Sequence, residues 1–288
     1  MRQANSPRSI LHRSKNVQNK NLYRSLRSGK NTIFISDTHL CHGYNEGAFD
    51  QTVRTISQWV KDGKSIDRVV FAGDLFHKFD PRYTNQFRDD QNVTEPLVEI
   101  FDRLDHAFSK LRSLKKVLGS KISLEYVFGN HERYIFNKYP FFASYFKLQF
   151  QKMGIVVKTE SDQDIVTICD QSKTSLSHKP TFKVTHRIAK LFFGEDTPLF
   201  RSNQHDGNLI HNYDTNKRQI IIGAHNHIPA VFKEGKTTFV MLPAFIDLKA
   251  PNACFPPAFT VMDTSAREPR IYFVTPNGKA LGFKNINA

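Results

Sequence analysis

Apolar positions change texture once along the chain. In the first half, short β-rich runs alternate with stretches of helical spacing. Thr32-Ile33-Phe34-Ile35-Ser36 predicts a strand, and Phe49, Val53, Ile56 and Val60, spaced by four, three and four, predict a helix after it. Arg68-Val69-Val70-Phe71-Ala72 is continuously apolar after its first residue, as a strand buried on both faces should be. Leu97, Ile100, Phe101, Leu104, Phe108 and Leu111 predict a long amphipathic helix, opened by the cap-like Asn92-Val93-Thr94-Glu95-Pro96. Leu124 to Phe128 predicts a third strand, and Tyr139 to Met153 a further helix.

From Ile155 onward the runs are β-like: Ile155–Lys158, Ile165–Cys169, Thr174–Ser177, Gln219–Ile222, Thr237–Met241, Ala258–Met262 and Arg270–Val274. Within 180–217 only Val184–Phe193 has a helical pattern, followed by a polar loop. Helix-linked parallel strands followed by a mostly β second half predict an α/β protein of two sheets packed face to face with helices outside.

Charge divides the chain differently. Residues 1–30 hold eight cations (Arg2, Arg8, Arg13, Lys15, Lys20, Arg24, Arg27, Lys30) and no acid; the first carboxylate is Asp37. The other 258 residues carry 33 cations against 27 acids, a mild +6 within the total of +14. We therefore divide the chain into a basic N-terminal extension, 1–30, and a main domain, 31–288. Such an extension suits a polyanion, nucleic acid or an acidic membrane face, or is simply a solvated tail. Being Arg- and Ser-rich it also has the composition of a transit peptide, but Ile10, Leu11, Val17, Leu22 and Leu26 form no clear apolar face. No window approaches the ~18 uninterrupted apolar residues of a membrane span. There is no apolar signal region, and the three cysteines (Cys41, Cys169, Cys254) lack CxxC spacing. Those features predict a cytoplasmic protein without a disulfide framework.

Five of the predicted strands end alike. They run into Asp37-Thr38-His39, Gly73-Asp74, Gly129-Asn130-His131-Glu132, His178, and Gly223-Ala224-His225-Asn226-His227. Carboxyl ends of strands are where open α/β sheets gather ligands. Residues two apart leave an extended strand on one face, so Asp37 with His39, and His225 with His227, can each grip one ion. The glycines at 73, 129 and 223 allow sharp turns. Imidazole, carboxylate and amide without thiolate favour Mn, Fe, Zn or a similar borderline ion, and two carboxylates are too few for a calcium cage.

These ordered blocks, DxH, GD, GNHE, H and GAHNH, resemble the calcineurin-like metallophosphoesterase superfamily from about Ile33 to about Met262. The resemblance implies a four-layer αββα sandwich of two mixed β-sheets flanked by helices, holding two divalent metal ions, Mn²⁺ foremost, with Fe, Zn or Ni as alternatives. It implies that Asp37, His39 and His227 bind one ion, that Asp74 bridges both, and that Asn130, His178 and His225 complete the second. His131 would stand over the substrate and assist the leaving oxygen. The family has HG where this chain has His178-Lys179, so His186, His205 and His211 stay open as replacements. Arg133 could touch a substrate phosphate, and His42 and His77 flank the motifs as rim residues.

The block Gly73-Asp74-Leu75-Phe76-His77-Lys78 departs from the GDxVDRG of the Ser/Thr protein phosphatases. Asp74-Leu75-Phe76-His77 with Pro81, and Asp37-Thr38-His39-Leu40 with Gly43-Tyr44, look like the DNA double-strand-break repair nucleases. That likeness fades at Met241-Leu242-Pro243-Ala244-Phe245. The expectation is a two-metal phosphodiesterase acting on DNA, with nucleic acid as partner through the basic segment. A small-molecule phosphoesterase (nucleotide, cyclic nucleotide or sugar phosphate) is the alternative, and a non-catalytic metal-stabilised binding protein the third reading.

Overall fold

A computed structural model describes residues 7–40, 46–75, 97–158, 166–170, 216, 218–224, 229–245, 256–266 and 269–281. In chain order the elements are α1 (Pro7–Ser28), β1 (Asn31–Ile35), α2 (Glu46–Lys61), β2 (Arg68–Ala72), α3 (Leu97–Leu118), β3 (Ser123–Val127), α4 (Asn130–Lys138), α5 (Phe141–Met153), β4 (Val156–Lys158), β5 (Val166–Asp170), β6 (Ile220–Ala224), β7 (Ala230–Glu234), β8 (Thr237–Met241), β9 (Phe259–Asp263) and β10 (Arg270–Val274).

They form two mixed sheets. The first has strand order β10-β9-β1-β2-β3-β4, and the second β5-β6-β8-β7. β1 to β4 pair in parallel, while β9 lies antiparallel to both β1 and β10. In the second sheet β5, β6 and β8 are parallel and β7 returns antiparallel along β8.

Alternation along each strand sorts side chains between two cores. Ile33, Ile35, Val69, Phe71, Leu124, Tyr126, Phe259 and Val261 face the helices, in one cluster with Phe49, Leu104, Phe108 and Phe146. Phe34, Val70, Ala72 and Met262 face the other way and meet Ile220, Ile222, Ala224, Val240 and Leu242 of the second sheet. β2 is therefore apolar on both faces because both are covered. This is the two-sheet α/β sandwich the sequence predicts. The helical pattern at Val184–Phe193 lies outside the described residues, as do the strand at Thr174–Ser177 and the cap at Asn92–Pro96. No helix among the described residues is long and apolar enough to cross a membrane.

Three elements depart from the sequence reading. β7 was not predicted, although Gly235, at φ 58°, supplies the two-residue turn into β8. α4 follows β3 directly, where the pattern predicts no helix before Tyr139. The basic segment contains α1. Its apolar positions make no full stripe, yet Leu22 and Leu26, one turn apart, are fully buried, worth roughly 1.5–3 kcal/mol each.

Polar bonds fix the carboxyl-terminal part of α1, from Asn19 onward. The Ser25 hydroxyl donates to Asp263 on β9, and Asn31 Nδ2 donates to the Ser25 carbonyl at 2.9 Å. Ser65 N donates to the Leu26 carbonyl at 2.8 Å, and Ala280 N donates to Asn19 Oδ1 at 2.7 Å. A Cβ on Gly29 would lie 2.6 Å from Asp263 Oδ1, so this crossing is closed to larger residues.

Burial alone would raise the Asp263 carboxyl. Hydrogen bonds from Ser25, Ser265 and the Lys30 backbone outweigh it and hold the group below its ordinary 3.8. A depressed carboxyl contributes stability that is present above the unfolded value and lost as pH falls through the folded one. Asp263→Asn should therefore lower urea stability at pH 7, and the gap to the parent should shrink steadily below about pH 4. A gap independent of pH from 7 to 2 would contradict this account of the junction.

Candidate metal centre

β1, β2 and β3 are adjacent and parallel, so their carboxyl ends share one edge of the first sheet. Each is followed by polar residues: Asp37 and His39 after β1, Asp74 after β2, and Asn130 and His131, which open α4, after β3. The ligand atoms of His39, Asp74 and His131 lie within 4.8 Å of one another. The His39 and His131 rings are 4.8 Å apart, tilted by 59°, and His131 Nε2 is 4.0 Å from Asp74 Oδ2. His131 N also donates to Asp74 Oδ1 at 2.9 Å. Asp37, His39 and Asp74 are at most 5% exposed. Carboxylates buried this far need charge compensation.

The backbone is unusual at the same three residues. Asp37, His39 and Asp74 have φ of 48°, 43° and 51°, and they are the non-glycine residues with positive φ among the described residues. Each such conformation costs about 1–2 kcal/mol for an L-residue. Tertiary bonds hold them in place: Asp37 N donates to the Gly73 carbonyl at 3.2 Å, His39 N to the Asp74 carbonyl at 3.1 Å, and Thr38 Oγ1 to the Leu75 carbonyl at 2.7 Å. The β1–β2 pairing thus continues past the strand ends, but in a form that turns Asp37, His39 and Asp74 out of the strands' alternation.

Two of the three motif glycines have distinct reasons. Gly73 has φ 84°, so it makes the sharp turn the sequence suggests. Gly129 has an ordinary φ of −83°; a Cβ there would sit 2.1 Å from Asp74 Oδ1, so its constraint is close approach. Gly223 makes no turn: it lies inside β6, paired with Cys169 and Met241.

Glu132 stands within the GNHE block without a role that the ligand pattern indicates, and nothing in the sequence singles out Tyr126. The Glu132 carboxylate is fully buried and accepts four bonds: from Asp74 N at 3.1 Å, Leu75 N at 2.8 Å, Gly129 N at 2.8 Å and the Tyr126 hydroxyl at 2.8 Å. Burial outweighs the bonds from Tyr126, Leu75 and Asp74 and leaves its carboxyl above the ordinary 4.5. Burial and the Glu132 charge push the Tyr126 phenol well above its usual 10, so it stays the donor of the pair. The available signal was spacing: a Glu three residues after Gly129 is the reach-back position of a helix capping box.

Arg133, in α4, is partly buried, and its N–H donates to the Gly129 carbonyl. Asn130 is the first residue of the same helix. His178, His225 and His227 lie outside the described residues, as do His42 and His77. β6 nonetheless ends at Ala224, immediately before His225, on the edge where Asp37 sits. Leu242 N donates to the Gly223 carbonyl and Phe245 N to the Asp37 carbonyl, which fixes that alignment. Buried imidazole and carboxylate donors at this spacing fit a borderline divalent cation.

Asp74→Gly and Asp74→Ala both delete the carboxylate, but only glycine adopts φ 51° without strain. Urea unfolding should find the glycine variant more stable by about 1 kcal/mol. An alanine variant of equal or greater stability would show that the turn is not strained.

The family model for calcineurin-like phosphoesterases matches residues 30–231, well over half of the chain. A search of the curated proteins found no match. Among solved structures, Yfce, a phosphoesterase from E. coli, is similar at 13% identity, covering 89% of this chain and 100% of its own, with a TM-score of 0.43. A novel archaeal phosphodiesterase matches at 12% identity over 85% and 99%, with a TM-score of 0.38. Vacuolar Protein Sorting 29 from Cryptosporidium parvum matches at 15% over 86% and 91%, with a TM-score of 0.39. With candidate ligands at the edge of β1, β2 and β3 and a family match spanning 30–231, the chain belongs to the calcineurin-like phosphoesterase family.

Proposed function

We propose that this phosphoesterase is a two-metal phosphodiesterase and that its substrate is DNA. The observation that carries the reading is the convergence of His39, Asp74 and His131 at one strand edge. Asp37, His39 and His227 would hold one ion and Asn130, His178 and His225 a second, with Asp74 between them and Mn²⁺ the preferred metal. When bound, two such ions supply an activated water and electrophilic clamping of the phosphoester oxygens.

The chain's own residues do the rest. Asp37 and Asp74 contribute two negative charges against the four positive charges of two divalent ions, so the pocket attracts an anionic ester. His131 is the proton donor to the leaving oxygen. Its imidazole is 13% exposed, open to a substrate, and its backbone bond to Asp74 keeps the ring beside the centre. Arg133, two residues further along α4, would steady a phosphate oxygen. Gly73 and Gly129 let the turns bearing Asp74 and His131 close on each other. The choice of DNA rests on the sequence likeness around Asp74-Leu75-Phe76-His77 and on the basic N-terminal segment.

The test is cleavage of end-labelled single- and double-stranded DNA with Mn²⁺, with metal content measured on the same samples. The parent should cut. Asp74→Ala should lose metal and activity together, whereas His131→Ala should keep its metal and lose about 10²–10⁴-fold in rate. Loss of metal from His131→Ala would overturn the division of roles. No DNA cleavage with intact hydrolysis of small phosphate esters would replace the nuclease with the small-molecule enzyme.

A further inference from the structure

The bonds that hold α1 also give its direction. Ser25 sits against Asn31 and Asp263, the paired residues at the amino end of β1. Six residues earlier, Asn19 bonds Ala280, which bridges Val274 at the far end of β10. Val274 pairs with Phe259, one step beyond the Phe34–Thr260 pair, and so lies level with the carboxyl end of β1. α1 therefore runs back across the first sheet from its amino edge toward the edge that carries His39, Asp74 and His131. The twelve residues from Pro7 to Gln18 continue beyond that level, about 18 Å of helix at ~1.5 Å per residue. That overhang contains Arg8, Arg13 and Lys15 and no carboxylate.

The docked part exposes a matching surface. Leu22, Ser25 and Leu26 are buried against the sheet, and Lys20, Arg24 and Arg27 are exposed. At ~100° per residue these three cations centre on the side of the helix opposite the buried one. Among the described residues none of the three has a carboxylate within ion-pair distance. Like charges three and four apart repel on a helix, so a helix kept only for packing gains from an acid among them. α1 has none. The pattern suits a ligand that supplies a line of negative charge.

We propose that α1 is a substrate arm: Lys20, Arg24 and Arg27 bind the phosphate backbone of DNA flanking the bond held at the metal centre. At the level of Lys20, two strand spacings of ~4.8 Å and one layer of ~10 Å place the arm on the order of 15 Å from the β1 end, with Arg24 and Arg27 about 6 and 10 Å further along the helix toward the amino edge. At ~3.4 Å per nucleotide this is about four or five steps along one strand. The arm rests on the reading of the centre as a DNA phosphodiesterase and assigns which surface holds the DNA.

The test uses the full chain and the triple variant Lys20→Gln, Arg24→Gln, Arg27→Gln, with Lys147→Gln, Lys152→Gln on α5 as the control. Binding of a fluorescent 30-base-pair duplex is followed by anisotropy across a NaCl series, and hydrolysis of bis(p-nitrophenyl) phosphate reports the centre alone. The triple variant should bind DNA at least about tenfold more weakly at 0.15 M salt, and its log–log salt slope should be shallower by about 2.7, at ~0.9 per phosphate contact. Its small-ester hydrolysis and melting temperature should match the parent, and the control should match the parent throughout. An unchanged slope and affinity, or no DNA binding by the parent, would overturn the arm. A parent that binds DNA through these residues but does not cut it would uphold α1 as the DNA-binding surface and sink the nuclease reading, and with it the role of α1 as a substrate arm.

Discussion

The centre depends on one buried carboxylate. Glu132 accepts bonds from the backbones of Asp74, Leu75 and Gly129 and from the Tyr126 hydroxyl, and so ties the turn after β2 to the turn after β3. A buried charge is costly unless its hydrogen-bonding capacity is met, and here four donors meet it. The consequence is geometric. The Asp74 carboxylate and the His131 backbone, which lie 57 positions apart in the chain, are brought to 2.9 Å.

The strained turns are the other half of the same design. A regular strand end would leave Asp37 and His39 in the strand's alternation, on one face of the sheet. Asp37, His39 and Asp74 adopt positive φ instead, His39 and Asp74 converge with His131, and bonds to Gly73, Asp74 and Leu75 hold the turns in that conformation. Strain stored at a functional site persists only where the surroundings over-determine it. The helix-side core does so: Phe71 stacks on Tyr126, whose ring packs on Phe150 while its hydroxyl reaches Glu132. Packing, brace and candidate site form one connected unit, so the edge is preformed rather than assembled by a ligand.

Much of this was legible in the sequence because the signals were local. A run such as Val69–Ala72 declares a doubly covered strand, and Gly73-Asp74 after it declares a turn with a polar residue at its tip. The brace was less legible because it is tertiary: nothing local in Glu125-Tyr126-Val127 says that the Tyr126 hydroxyl will meet a carboxylate six residues later. α1 was missed for the opposite reason. Its two buried leucines are too few to give a periodic stripe, and its place is fixed by Ser25, Asn19 and Gly29 meeting residues more than 230 positions away. Gly223 misled, since its glycine signals a turn by composition but sits in a strand.

The most direct test of the central claim is the free energy of urea unfolding of Glu132→Gln in the absence of metal, compared with the parent. Glutamine keeps the size but turns an amide donor toward N–H groups that need an acceptor. Breaking a buried charged network in this way should cost about 3 kcal/mol or more. Mn²⁺ affinity should fall in parallel, because Asp74 and His131 lose their common anchor. A variant within about 0.5 kcal/mol of the parent, the size of an ordinary surface substitution, and with unchanged Mn²⁺ affinity, would contradict the claim that this carboxylate holds the site together.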